Sequence, residues 1–140
     1  MSSRALARLL LIFAGFYDGI LGLAFLAAAP TVFSFCNIPA PPHWGYVHFA
    51  AALLMIFGLM FFSAAVYPAG NRNLIAYGML LKIAYVGTAL YHWINGDIPM
   101  VFKLFLTMDV GWFFVLGWIF FSINRIPAPA AQPAPASPAR

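Results

Sequence analysis

The sequence predicts an all-α integral membrane protein, a bundle of four transmembrane helices with both termini in the cytoplasm. Three observations carry that prediction. The 140 residues are 64% hydrophobic and only 7% charged, where a soluble domain carries about 25% charged residues. Apolar stretches of the roughly 20 residues needed to cross a bilayer occur four times. Finally, the arginines fall on one side of those stretches, as the positive-inside rule requires of cytoplasmic segments.

The first stretch, residues 9–29 (LLLIFAGFYDGILGLAFLAAA), lies between Arg8 and Pro30 and carries Asp18 as its only charge. The arginines before it and the alanines ending it resemble a signal peptide. Its length, its central aspartate and Pro30 at the expected cleavage point instead predict a retained helix. The second stretch, 47–67, ends before Pro68 and contains no Asp, Glu, Lys or Arg. The third, 74–94, carries only Lys82, and the fourth, 104–124, only Asp109. Together they make one transmembrane domain over 1–125, followed by a Pro/Ala-rich tail, 126–140, whose composition cannot build a core and predicts disorder.

The connections differ in kind. Residues 68–73 (PAGNRN) form a tight turn, so the second and third helices are antiparallel neighbours. Residues 95–103 open on the turn signal Asn95-Gly96. Residues 30–46 contain four prolines, which predict an irregular segment lying along the interface or over the mouth of the bundle. Arg4, Arg8, Arg72 and Arg125 all fall on the side of the termini, while only Lys103 flanks a span on the other. Trp44, Tyr46, Tyr91 and Trp93 form an aromatic belt at the outer boundary.

Charge inside hydrocarbon costs several kcal/mol on most scales, so each embedded polar residue needs a reason. At about 1.5 Å per residue, Asp18 and Lys82 both come within about 3 Å of the midpoints of their spans, which predicts a salt bridge. Tyr85 and Gly78 share the face of Lys82, and Tyr17 can add a hydroxyl. Gly15-x-x-x-Gly19 beside Asp18 is a small-residue pattern that permits close helix approach. Asp109 comes out about 7 Å outward of its midpoint, too far for an easy bond to Lys82. His48 and His92 come out about 12–14 Å outward. With Asp109, and with Asp97 and His43 from the loops, they are expected to line an outer polar pocket.

Other function classes find little support. The net charge of +4 comes from scattered residues, with no basic stripe to follow a nucleic acid backbone. One cysteine, Cys36, excludes an intrachain disulfide and paired-thiol chemistry. Metal or bis-histidine haem ligation at His48 and His92 is the lesser reading, since no dense ligand spacing supports it, and no cofactor is predicted. No nucleophile and base stand at a telling spacing, so an enzyme acting on a lipid or quinone ranks last.

The chain resembles the DoxX-like group of small four-helix bacterial membrane proteins over about residues 5–123. The resemblance is carried by Ala7-Arg8-Leu9-Leu10, Pro68-x-x-Asn71-Arg72-Asn73-Leu74-Ile75, Lys82, Gly96-Asp97-Ile98-Pro99, and Asp109 followed by Trp112. It implies a bacterial inner membrane location, and some relatives are linked to oxidoreductase systems as membrane partners. The expectation is therefore a small non-enzymatic membrane protein, an accessory subunit or partner of a larger membrane assembly, with a redox assembly as one option, or a homo-oligomer. The alternative is a transporter or proton- or ion-conducting protein that uses Asp18, Lys82 and Asp109.

Overall fold

In the computed structural model, which describes residues 3–123, four helices follow one another: α1 (Ser3–Phe35), α2 (Gly45–Val66), α3 (Arg72–Asn95) and α4 (Met100–Ser122). The expected Pro/Ala tail and Arg125 lie outside the described residues. All four helices are long and apolar enough to cross a membrane. At about 1.5 Å per residue even the shortest is about 33 Å long, close to the hydrocarbon thickness of about 30 Å.

The exterior is what an apolar solvent requires. Phe13, Ile20, Phe49, Leu59, Phe114 and Phe121 are each more than half exposed, while the charges of Asp18, Lys82 and Asp109 are buried. Helices satisfy their own backbone hydrogen bonds, so such a surface meets lipid without leaving unpaired polar groups.

The helices form a ring. α1 packs most extensively on α2 and α3 on α4, with lighter contacts between α2 and α3 and between α1 and α4. Close approach of α1 and α2 depends on missing side chains. A Cβ at Gly58 would stand 2.9 Å from the Gly15 carbonyl oxygen and 3.0 Å from the Gly19 Cα, and one at Gly22 would stand 2.7 Å from the Ala51 carbonyl oxygen. The small-residue reading of α1 thus applies, with Gly58 of α2 as its counterpart. Gly19 offers its backbone to that contact, while its own Cβ position is open.

Besides the start of α1, at Ser3 and not at residue 9, two boundaries differ from the sequence expectation. α1 runs through Pro30 to Phe35 instead of ending at Ala29, because Ala28 takes a non-helical conformation (φ −141°, ψ 32°) and interrupts the helix there. Pro30 then sits in the first turn of a new helical segment, where its missing N–H costs nothing. This segment ends in a Schellman motif: Asn37 takes φ 52°, the Asn37 amide donates to Ser34 O (3.2 Å) and that of Ile38 to Phe33 O (2.8 Å). The irregular connection is therefore only 36–44. The second difference is α4, which starts at Met100 and not at residue 104. Pro99 precedes it, and Phe102 and Lys103 bond back to the Pro99 carbonyl, so Lys103 belongs to the first turn.

Arginines join neighbouring helix ends. Arg8 at the start of α1 donates to Val66 O at the end of α2 (2.8 Å). Arg72 at the start of α3 donates to Phe120 O near the end of α4 (3.3 Å) and lies 3.8 Å over the Phe120 ring. A cation at a helix C-terminus satisfies carbonyls that the helix leaves open and complements its dipole. These bonds also make α1–α2 and α3–α4 antiparallel pairs.

The ring is filled unevenly along its length. At the end where α1 starts, Ala7, Leu11, Ala14, Phe61, Ala64, Ile75, Leu116 and Ile119 form a dense core. Phe61 is fully buried and occupies the space a side chain at Gly78 would take. At the opposite end, beneath the 36–44 and 96–99 connections, the bundle is hollow.

Candidate functional site

Where the dense core meets the hollow half, α1, α3 and α4 contribute one charged side chain each. Lys82 donates to Asp18 Oδ1 at 2.6 Å, as its position near mid-span predicted. Its ammonium also lies 3.2 Å from Asp109 Oδ1. Asp18 and Lys82 are each 1% exposed and Asp109 6%. The second contact corrects the sequence reading, which put Asp109 out of reach. With α4 running from Met100 to Ser122, its centre is near residue 111, and Asp109 lies only about 3 Å from that level. The flexible four-carbon stem of lysine spans what remains.

Two carboxylates face one ammonium, and both Asp18 Oδ2 and Asp109 Oδ1 are buried without a hydrogen-bond partner. The Lys82–Asp109 contact is thus Coulombic and poorly aligned. Around the triad stand two tyrosines. The ring of Tyr17 lies 4.9 Å from the Lys82 ammonium and stacks obliquely with Trp112 at 6.0 Å. The Tyr85 hydroxyl donates to the Phe102 carbonyl at 3.3 Å, tying α3 to the start of α4.

Above the triad is a half-open cavity of about 430 Å³. Asp18 and Asp109 line it together with Tyr17, Tyr46 and Tyr85, and the remaining wall is apolar, including Phe25, Phe33, Phe102 and Phe105. Lys82 is not part of that wall. At this end Phe33 packs edge-on against both Phe25 (6.2 Å) and Trp44 (5.2 Å). Nothing in the sequence marked this void, since it results from how side chains of all four helices meet.

The histidines take separate places. Neither His48 nor His92 lines the cavity with Asp109. His48 is half-buried in the first turn of α2, and His92 is exposed near the end of α3 against Tyr91. His43 accepts a bond from the Gly45 amide at its Nδ1 (3.0 Å), which fixes the entry into α2. Asp97 is exposed and accepts from Ile98 N (3.0 Å) and from Lys103 Nζ (2.7 Å). Lys103 holds the Asp97 carboxyl below the usual carboxylate range, by that hydrogen bond first and by its charge second. Among the described residues, no three His, Cys, Asp or Glu side chains come together as a metal would require. The sequence reading missed Arg8 and Arg72 as helix-end clamps and saw in them only topology signals. Their signal is a basic residue opening a helix whose antiparallel neighbour ends beside it.

Comparison with family models, curated proteins and solved structures gives no match for this chain.

Proposed function

We propose that this chain is an integral protein of a bacterial cytoplasmic membrane, with both termini inside, that takes up protons or cations at the Asp18–Lys82–Asp109 triad and acts as a transporter or conducting protein. The observation that carries the proposal is a buried triad of two carboxyl groups on one ammonium, reached through a cavity from one end of the bundle. A pair serving only to fix helix register would be neutral and sealed. Intramembrane carboxylates that face a cavity mark ion and proton paths. The arginines at the starts of α1 and α3, and the DoxX-like resemblance, support the orientation and the location. A silent accessory subunit would have no use for a cavity that leads to buried acids, so that reading ranks second. The dense core on the far side of the triad leaves the site open to one side, as one state of an alternating-access cycle would be.

The test is proton flux into liposomes that hold the purified protein and a pH-sensitive dye, driven by an imposed gradient. The wild type conducts, and Asp109→Asn loses the flux while its tryptophan fluorescence and helicity remain native. Wild-type liposomes as tight as empty ones, or flux undiminished in Asp109→Asn, would refute the proposal.

A further inference from the structure

We propose that the cavity is a binding site for a lipophilic organic monocation, an amine or quaternary ammonium carrying an apolar, ring-bearing body. The inference deepens the reading above: it rests on the triad being reachable and acidic, and it names what the site takes.

Charge comes first. Asp18 and Asp109 line the cavity and Lys82 does not, so a ligand in the cavity meets the acids ahead of the ammonium. Asp18 Oδ2 and Asp109 Oδ1 accept no hydrogen bond despite their burial, and native interiors leave few such groups without a purpose. A cationic centre at the floor of the cavity is attracted by both acids.

The walls decide which kind of cation. Apart from the two acids, the polar side chains on the wall are those of three tyrosines. A hard inorganic cation takes about six or more oxygen ligands, and no cluster of metal-binding side chains exists among the described residues. An organic cation instead brings an apolar envelope suited to apolar walls, and the faces of aromatic rings attract it through their quadrupoles. The volume of about 430 Å³ falls within the roughly 300–1,000 Å³ that hold ligands of this size.

Access agrees with a ligand dissolved in lipid. Tyr17 and Leu21 line the cavity and also line a groove on the outer side of α1 and α4. These two helices are the most loosely packed of the adjacent pairs. A lipophilic molecule in the membrane therefore reaches the cavity wall from the side, with these two side chains in between.

The test is equilibrium dialysis of the full-length protein in lipid nanodiscs against labelled methyltriphenylphosphonium, with empty nanodiscs as the blank. Saturable binding is expected, weakened about tenfold or more in both Asp18→Asn and Asp109→Asn. Leu54→Trp, which fills the cavity and leaves the charges in place, should also lose it. The uncharged analogue 1,1,1-triphenylethane should not compete. Binding no greater than to empty nanodiscs, equal competition by the uncharged analogue, or unchanged affinity in the two aspartate variants would overturn the inference. If probe binding fails while Asp109-dependent proton flux persists, the inference falls and the proposed function stands; binding without flux has the reverse meaning.

Discussion

Replacing Lys82 by Met keeps the stem that packs among the helices and removes only the charge. In the native triad the ammonium lies 2.6 Å from one carboxylate and 3.2 Å from the other, with all three residues at most 6% exposed. Without it, two buried carboxylates share one level of the bundle and nothing offsets their desolvation. Removing one partner of a buried ion pair costs about 3–5 kcal/mol. Because Met nearly conserves volume, the cavity contribution stays below about 1.5 kcal/mol. The expected loss is therefore about 3–5 kcal/mol, or two to three and a half powers of ten in the unfolding constant. Asp109→Asn should behave differently. It removes the second acid of the triad and leaves the 2.6 Å Lys82–Asp18 bond intact, so its cost should stay within about 1 kcal/mol. The double variant Lys82→Met with Asp18→Asn should recover part of the single loss, because one fewer carboxylate is left unpaired. Unfolding by dodecyl sulfate in bicelles, followed by tryptophan fluorescence and far-ultraviolet circular dichroism, measures each term. The reasoning fails if Lys82→Met unfolds at the wild-type midpoint, or if Asp109→Asn costs as much as Lys82→Met.

Two further outcomes follow from other parts of the bundle. Gly58→Ala places a Cβ 2.9 Å from the Gly15 carbonyl oxygen and should cost about 1–3 kcal/mol, whereas Gly19→Ala meets nothing within 4 Å and should change stability by no more than about 0.5 kcal/mol; the same unfolding assay compares them. Asp97, held low by Lys103, should titrate below the ordinary carboxylate range in carbon-detected side-chain NMR, and Lys103→Met should return it to that range. Because the folded value lies below the unfolded one, the stabilisation from this pair is present above the ordinary carboxylate range and disappears as pH falls through the lowered value.

The four helices were legible because length and hydropathy decide whether a segment can cross hydrocarbon, and both are properties of consecutive residues. The same reasoning located the Asp18–Lys82 bond, since two charges at one depth in a thin bundle have few other partners. Helix ends were harder to read. Pro30 suggested a stop, yet the non-helical Ala28 made it an acceptable start. Lys103 suggested a flank, yet it belongs to the first turn of α4, and that shift of four residues moved Asp109 out of its true level. The outer pocket expected from His48, His92 and Asp109 depended on helix rotation, which an almost uniformly apolar sequence does not encode in a one-sided pattern.

By itself, then, the sequence determined the four helices long and apolar enough to cross a membrane, the likeness in depth of Asp18 and Lys82, and the small-residue seam of α1, because each depends on composition along one helix. Only the tertiary structure decided that Asp109 joins Lys82, that the arginines clamp neighbouring helix ends, and that an aromatic-walled cavity opens onto the two carboxylates with the ammonium behind them. Those features depend on the rotation and spacing of helices relative to one another. They are fixed by which side chains interlock between helices, and a linear pattern of apolar residues carries no record of that.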